Sequence, residues 1–274
     1  MKTSRIAFVL AAAALVGACG RGTSDTFTAN NGPQAYVRFV NAIPDSGAGD
    51  WRFVDFVEGS PVTFGLAFRS MFPATGYQGA AAGSRHIKVF QSSTNIALTQ
   101  VVFLDTTFTF VAGNHYTLVA AGTLRAPATA KMYILQDDFT DPGAQMALRV
   151  FNAGAGTVDV YTSASGGTSA LPAAMKTGLA NYTATGYVAS AVGPVALRAF
   201  TTGSTAFPAM VDATAPAGLP SDPANNLTAV GGTTQAGSVL TAFLFPRSVA
   251  GSTAASFTTP GAVFIVDRYP PRGF

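Results

Sequence analysis

Three polar residues occur twice along the chain in the same order. Arg38, Asn41 and Asp55, in YVRFVNA and FVDF, return as Arg149, Asn152 and Asp159, in LRVFNAG and TVDVY. An arginine and an aspartate brought together can grip a polar ligand through charge-assisted hydrogen bonds, and two such sets would form two equivalent binding pockets. The same residues can instead be structural, with an Arg–Asp pair joining neighbouring strands and the Asn bonding the turn that follows. No nucleophile or general base is spaced with them, and they lie within apolar runs. The structural arrangement is therefore the expected one.

Other residues offer weaker chemistry. Asp137, Asp138 and Asp141, in QDDFTDPG, could ligate calcium in a calcium-stabilised adhesin, but they lack the regular D-x-D-x-D-G spacing and end in Asp-Pro-Gly. A solvated turn is expected there. Asp45 and Asp50 precede Trp51, the one tryptophan, and paired carboxylates can cleave glycosides, so the alternative function is an envelope carbohydrate-active hydrolase. The aromatics are core by default, and Trp51 is the single one offered as a candidate ligand contact, to be tested for exposure. Of the two histidines, His115 reads as a packing residue and His86 has no evident partner. One Cys and two His make no zinc set. No G-x-S-x-G elbow, P-loop or dinucleotide fingerprint is present. The sequence thus predicts no catalytic set, no metal and no cofactor. The long connection from Asp212, DATAPAGLPSDPANNL, suits a binding loop and a plain surface excursion equally well.

The elements that must position these residues follow from repetition and periodicity. ATGY at Ala74–Tyr77 recurs at Ala184–Tyr187, IKVF at Ile87–Phe90 matches LRAF at Leu197–Phe200, and AGNHYTLVAAG from Ala112 meets AGSVLTAFLF from Ala236. Matches in one order, with length changes in turn-rich stretches, indicate a tandem duplication. DSGAGDWRF, from Asp45, reads as an insertion in the first copy. HIKVF and ALRAF alternate as half-buried strands do, and HYTLVAAG and VLTAFLF are β-branched and aromatic runs bounded by Gly. Outside the leader no segment sustains a capped helical stripe. The expected fold is all-β: two tandem antiparallel Ig-like β-sandwiches, over 35–141 and 142–274.

Only 11% of the 274 residues are charged and 48% are hydrophobic, against about a quarter charged in ordinary soluble chains. Without Lys2 and Arg5 of the leader, the formal net charge falls from +3 to +1. That balance offers nucleic acid no electrostatic footprint. Lys2 and Arg5 precede an apolar run from Ile6 to Val16, the anatomy of an export signal and too short to span a bilayer. The run ends in VGAC, which resembles a bacterial lipobox. The expectation is a lipoprotein signal peptide over 1–18, acylation of Cys19 with palmitate among the chains, and a flexible tether over 19–34. Cys19 is the sole cysteine, so a lipid there leaves no stray thiol. Gly20, by resemblance to Gram-negative lipoproteins, points to the outer membrane.

The motifs together resemble a known family. VRFVNAIPD at Val37–Asp45, VDF at Val54–Phe56, the T-G-Y of Thr75–Tyr77 and AGNHYTLVAAG at Ala112–Gly122 are similar to those of a domain of unknown function, family forty-three ninety-seven. The second copy departs, lacking Pro-Asp after Ala153 and carrying Val239 in place of His115. The resemblance implies tandem Ig-like domains on envelope lipoproteins, and implies no activity. The expected function is a non-enzymatic, lipid-anchored envelope protein that binds, adheres or spaces. Its expected partners are the membrane, through the anchor, and an envelope protein or glycan.

Overall fold

In a computed structural model of the chain, residues 32–55, 62–164 and 171–270 are described. Cys19 and the leader lie outside them. The first half runs β1 (Gln34–Ala42), β2 (Gly49–Phe53), β3 (Thr63–Leu66), β4 (Ser70–Phe72), β5 (Gln78–Ala81), β6 (Gly83–Gln91), a one-turn helix α1 (Ile96–Thr99), β7 (Val102–Phe110), β8 (His115–Ala121) and β9 (Lys131–Gln136). The second runs β10 (Met146–Asn152), β11 (Val158–Ser163), β12 (Lys176–Leu179), β13 (Val188–Ser190), β14 (Ala196–Thr201), β15 (Val211–Thr214), β16 (Val239–Phe245) and β17 (Gly261–Arg268). The fold is all-β.

Each half makes two sheets in matching order. The inner sheets are β4-β1-β8-β9, with β5 also on β1, and β13-β10-β16-β17; the outer sheets are β3-β2-β6-β7 and β12-β11-β14-β15. The outer sheets are antiparallel throughout. Each inner sheet, however, carries one parallel pair, β1 with β8 and β10 with β16. Alternation could not foretell this pair within otherwise antiparallel sheets, because it sets which face a side chain takes and is silent on strand direction.

Three apolar cores separate four layers. Val37, Phe39 and Leu118 of the first inner sheet pack on Trp51, Ile87 and Val89 of its outer sheet. Leu148, Val150 and Leu240 pack likewise on Val158, Val160 and Leu197. The third core lies between the two inner sheets: Val40, Ala42, Val119 and Ala121 meet Phe151, Ala153, Phe243 and Phe245. Strands β10 and β16 are consequently buried on both faces, as continuous apolar runs require.

Register corrects one alignment. Asp50 lies opposite Phe90, and Asp159 opposite Phe200, so the partner of Asp159 in the first half is Asp50 and not Asp55. The two share one bond: Asp50 Oδ1 accepts from Gly65 N at 2.8 Å and Asp159 Oδ1 from Gly178 N at 2.7 Å. Both glycines sit at φ near +60°, a backbone that side-chain-bearing residues resist. Matching the Val-Asp dipeptides misplaced this strand. The extra length of the first copy here therefore shrinks to two residues, since Arg38 to Asp50 spans 12 positions against 10 from Arg149 to Asp159, and the last five residues of DSGAGDWRF are β2 itself.

Trp51 consequently stands where Val160 stands in the second half, facing the core at 0% exposure with Phe39 at 5.1 Å. The candidate ligand contact there is overturned: burial of its large apolar surface outweighs any role at the exterior. As the sole tryptophan, it should emit in the blue and resist quenching by iodide in the folded chain. Red-shifted, readily quenched emission would place the ring at the surface instead.

Candidate functional site

The repeated arginines lead to the densest cluster of ionisable groups in the fold. Arg38, on β1, lies opposite Thr117 of β8, and Arg149, on β10, lies opposite Thr241 of β16, in the same parallel register. Alternation sends Val37 and Phe39 into the first sandwich and turns Arg38 toward the other half. A guanidinium there is buried between two sheets, where its charge must be met by partners.

Those partners come from the opposite half. Arg38 Nη2 donates to Asp267 Oδ1 at 2.6 Å, and Arg149 Nη2 donates to Asp137 Oδ1. Asp137 directly follows β9 and Asp267 is the penultimate residue of β17, so the two acids occupy equivalent ends of the last strand in each half. Within its own half each acid is held again. Thr117 Oγ1 donates to Asp137 and Thr241 Oγ1 to Asp267, both at 2.5 Å, and Tyr77 and Tyr187 hydroxyls donate to the same two acids at 3.0 Å. Each arginine also lies over the tyrosine ring of its own half, at 4.6 Å for Arg38 on Tyr77 and 4.5 Å for Arg149 on Tyr187. The result is a reciprocal exchange about a local two-fold relation. Each arginine crosses to the other half's acid, and each Thr and Tyr steadies the acid of its own.

The electrostatics follow from enclosure. Burial works against the Arg38 charge, but Asp267 and Asp137 outweigh it and raise its pKa above the ordinary arginine value. The same balance, set chiefly by Asp137, raises Arg149. Burial lifts both tyrosine hydroxyls far above their usual range, so they remain donors at any physiological pH. Two cations and two anions cancel, and the set opens no charged cleft to solvent.

The other residues picked from the sequence disperse. Asn41 and Asn152 bond their following turns as expected, accepting from Ile43 N and Gly154 N at 3.1 Å and donating to Leu66 O and Leu179 O. Asp55 pairs instead with Arg85, at 2.9 Å, and Asp159 with the amides of Gly178 and Gly203. The expected pairing of Arg38 with Asp55, and of Arg149 with Asp159, is therefore wrong. Those acids sit on the outer-sheet side of each sandwich, whereas the arginines face the seam. Asp137 likewise leaves the solvated turn assigned to it, while Asp138 is exposed and Asp141 meets Arg268 at 2.7 Å. Among the described residues no three potential ligands gather for a metal. Asp45 accepts from the amides of Leu124 and Arg125, and Asp50 from that of Gly65, so both carboxylates brace turns. His115 stacks on Tyr36 at 4.8 Å and His86 pairs with Asp105 at 2.5 Å, a partner the sequence had hidden across β6 and β7. The connection from Asp212 opens in edge strand β15 and continues as a short hairpin closed by Leu219 and Val230.

Asp267, Thr117, Thr241, Tyr77 and Tyr187 were not singled out from the sequence. Signals for four of them existed: the two threonines recur within the AGNHYTLVAAG match, and the tyrosines close the ATGY match.

Fold and seam together define an all-β protein of stacked sandwiches joined by a buried ion network. Residues 35–161 match the family model described as Domain of unknown function (DUF4397), and so carry a domain of that family. The match runs from β1 into β11 and includes Arg38, Tyr77, Thr117, Asp137 and Arg149. No curated protein matches the chain.

Proposed function

We propose that the chain is a lipoprotein of the cell envelope, exported by its leader and anchored at Cys19 in the outer membrane. Its folded part would be a non-enzymatic binding or spacer module built from two tandem copies of the DUF4397 domain. The carrying observation is the reciprocal seam. Equivalent residues of both halves, including the repeated Arg pair, are engaged in holding the halves together. A duplication that yields a braced four-layer body suits a protein that presents a rigid surface to a partner. Among the described residues no helix is long and apolar enough to cross a membrane. Several chains on one Cys hold firmly at about 0.8 kcal/mol per buried methylene.

Labelling with a palmitate analogue in cells is expected to mark the parent chain and to miss Cys19→Ser. Equal labelling of both would remove the anchor. Crosslinking in intact cells should then capture an envelope protein or glycan on the parent chain and lose it when the anchor is lost.

A further inference from the structure

The apolar part of the seam does not close completely at its end. Beyond the last residues of β1, β8, β10 and β16 lies a cavity of about 660 Å³, with both halves in its walls: Pro44, Ala153, Tyr182, Arg247, Val249 and Ala250 among them. Its roof is the connection from β16 to β17, which the first half ties down. Arg125 donates to Ala250 O at 2.8 Å and Gly251 O at 3.0 Å, and Arg69 to Pro246 O at 2.6 Å and Thr259 O at 2.5 Å. The Tyr182 ring lies parallel to Tyr133 at 4.9 Å, which stiffens one wall. The cavity is thus preformed by groups already engaged with one another, and its size falls in the range small-molecule sites occupy.

The lining narrows the ligand. Pro44, Ala153, Pro246, Val249 and Ala250 offer no side-chain polar atoms, and the hydroxyls of Thr123 and Ser248 are already bonded to Pro127 O and Phe257 O, so the walls favour an apolar body over a hydroxyl-rich sugar, which needs several converging donors and acceptors. Three polar side chains of the wall, Arg247, Tyr182 and Thr258, are uncommitted among the described residues, and the first two bear most on the ligand. The exposed Arg247 makes no ion pair or side-chain hydrogen bond, and the Tyr182 hydroxyl has no hydrogen-bond partner. Both carry donors suited to an anionic oxygen. We propose that this cavity binds a single-chain amphiphile with an anionic head, specifically a long-chain fatty acid, its carboxylate on Arg247 and its tail over the apolar seam. This site is independent of the anchor at Cys19.

The full chain carrying Cys19→Ser, so that no acyl chain of its own competes, is titrated in detergent-free buffer with cis-parinaric acid, a fluorescent long-chain fatty acid. A saturable one-to-one signal is expected. Arg247→Gln should weaken it about tenfold, the value of one charge-assisted hydrogen bond. Ala250→Trp, which fills the cavity from an exposed position, should abolish it while the unfolding curve stays that of the parent. The methyl ester of the same acid should bind the parent about as weakly as the acid binds Arg247→Gln. Absence of saturable binding, binding that survives Ala250→Trp, or equal affinity for acid and ester would overturn the proposal.

Discussion

Asp137→Asn is expected to destabilise the folded chain by about 3–5 kcal/mol, the usual cost of removing one partner from a buried ion pair. Asparagine has nearly the shape of aspartate, so the loss is one of charge. It leaves Arg38 and Arg149 enclosed with Asp267 alone to neutralise them, and deprives Thr117 and Tyr77 of a carboxylate acceptor. Urea unfolding at constant m-value measures the effect. Asp138→Asn, at the exposed neighbour, provides the comparison and should stay within about 0.5 kcal/mol of the parent. A loss below about 1 kcal/mol for Asp137→Asn would show that the network contributes little to the seam.

The apolar part of the same seam makes the second large prediction. Phe243 is fully buried, with Phe151 at 5.9 Å and Phe245 at 6.3 Å, and it belongs to neither sandwich core. Phe243→Ala should cost about 3–5 kcal/mol, from lost transfer energy and from the cavity left behind. Because each half keeps its own core, the loss falls on the coupling between halves. Trp51 fluorescence reports only the first half, whereas far-ultraviolet circular dichroism reports both. The two probes should give coincident transitions in the parent and separated ones in Phe243→Ala. Coincident transitions with a loss below about 1 kcal/mol would mean that the seam is not a distinct cooperative contact.

Much of the architecture was legible in the residues. Alternation and β-branched runs marked β1, β6, β8, β14 and β16, and the recurring Arg and Asn fell at equivalent register positions. Asn41 and Asn152 bond within a few residues of themselves, and local geometry of that kind is readable from sequence. Misreadings arose where the partner was remote. Asp137 stands beside Asp138 and just before Asp-Pro-Gly, a context that spells an exposed turn, yet its partner Arg149 belongs to the other half. Trp51 follows a Gly-rich stretch that resembles a loop, and only its pairing with Val89 shows it to be a strand residue aimed at the core.

By itself the sequence determined that this protein alternates its side chains into strands, that short motifs recur along it in one order, and that a few polar residues recur within those strands. Alternation separates a strand's two faces because successive side chains point oppositely, which is a property of the local backbone. It does not say what either face will meet. Only the tertiary structure decided that the second faces of the inner sheets press on each other, and that Arg38 finds Asp267 while Arg149 finds Asp137. Burying a charge between two sheets requires an opposite charge close by; Asp137 of its own half lies 3.6 Å from Arg38, but the carboxylate to which each arginine donates is supplied by the packing of one half on the other.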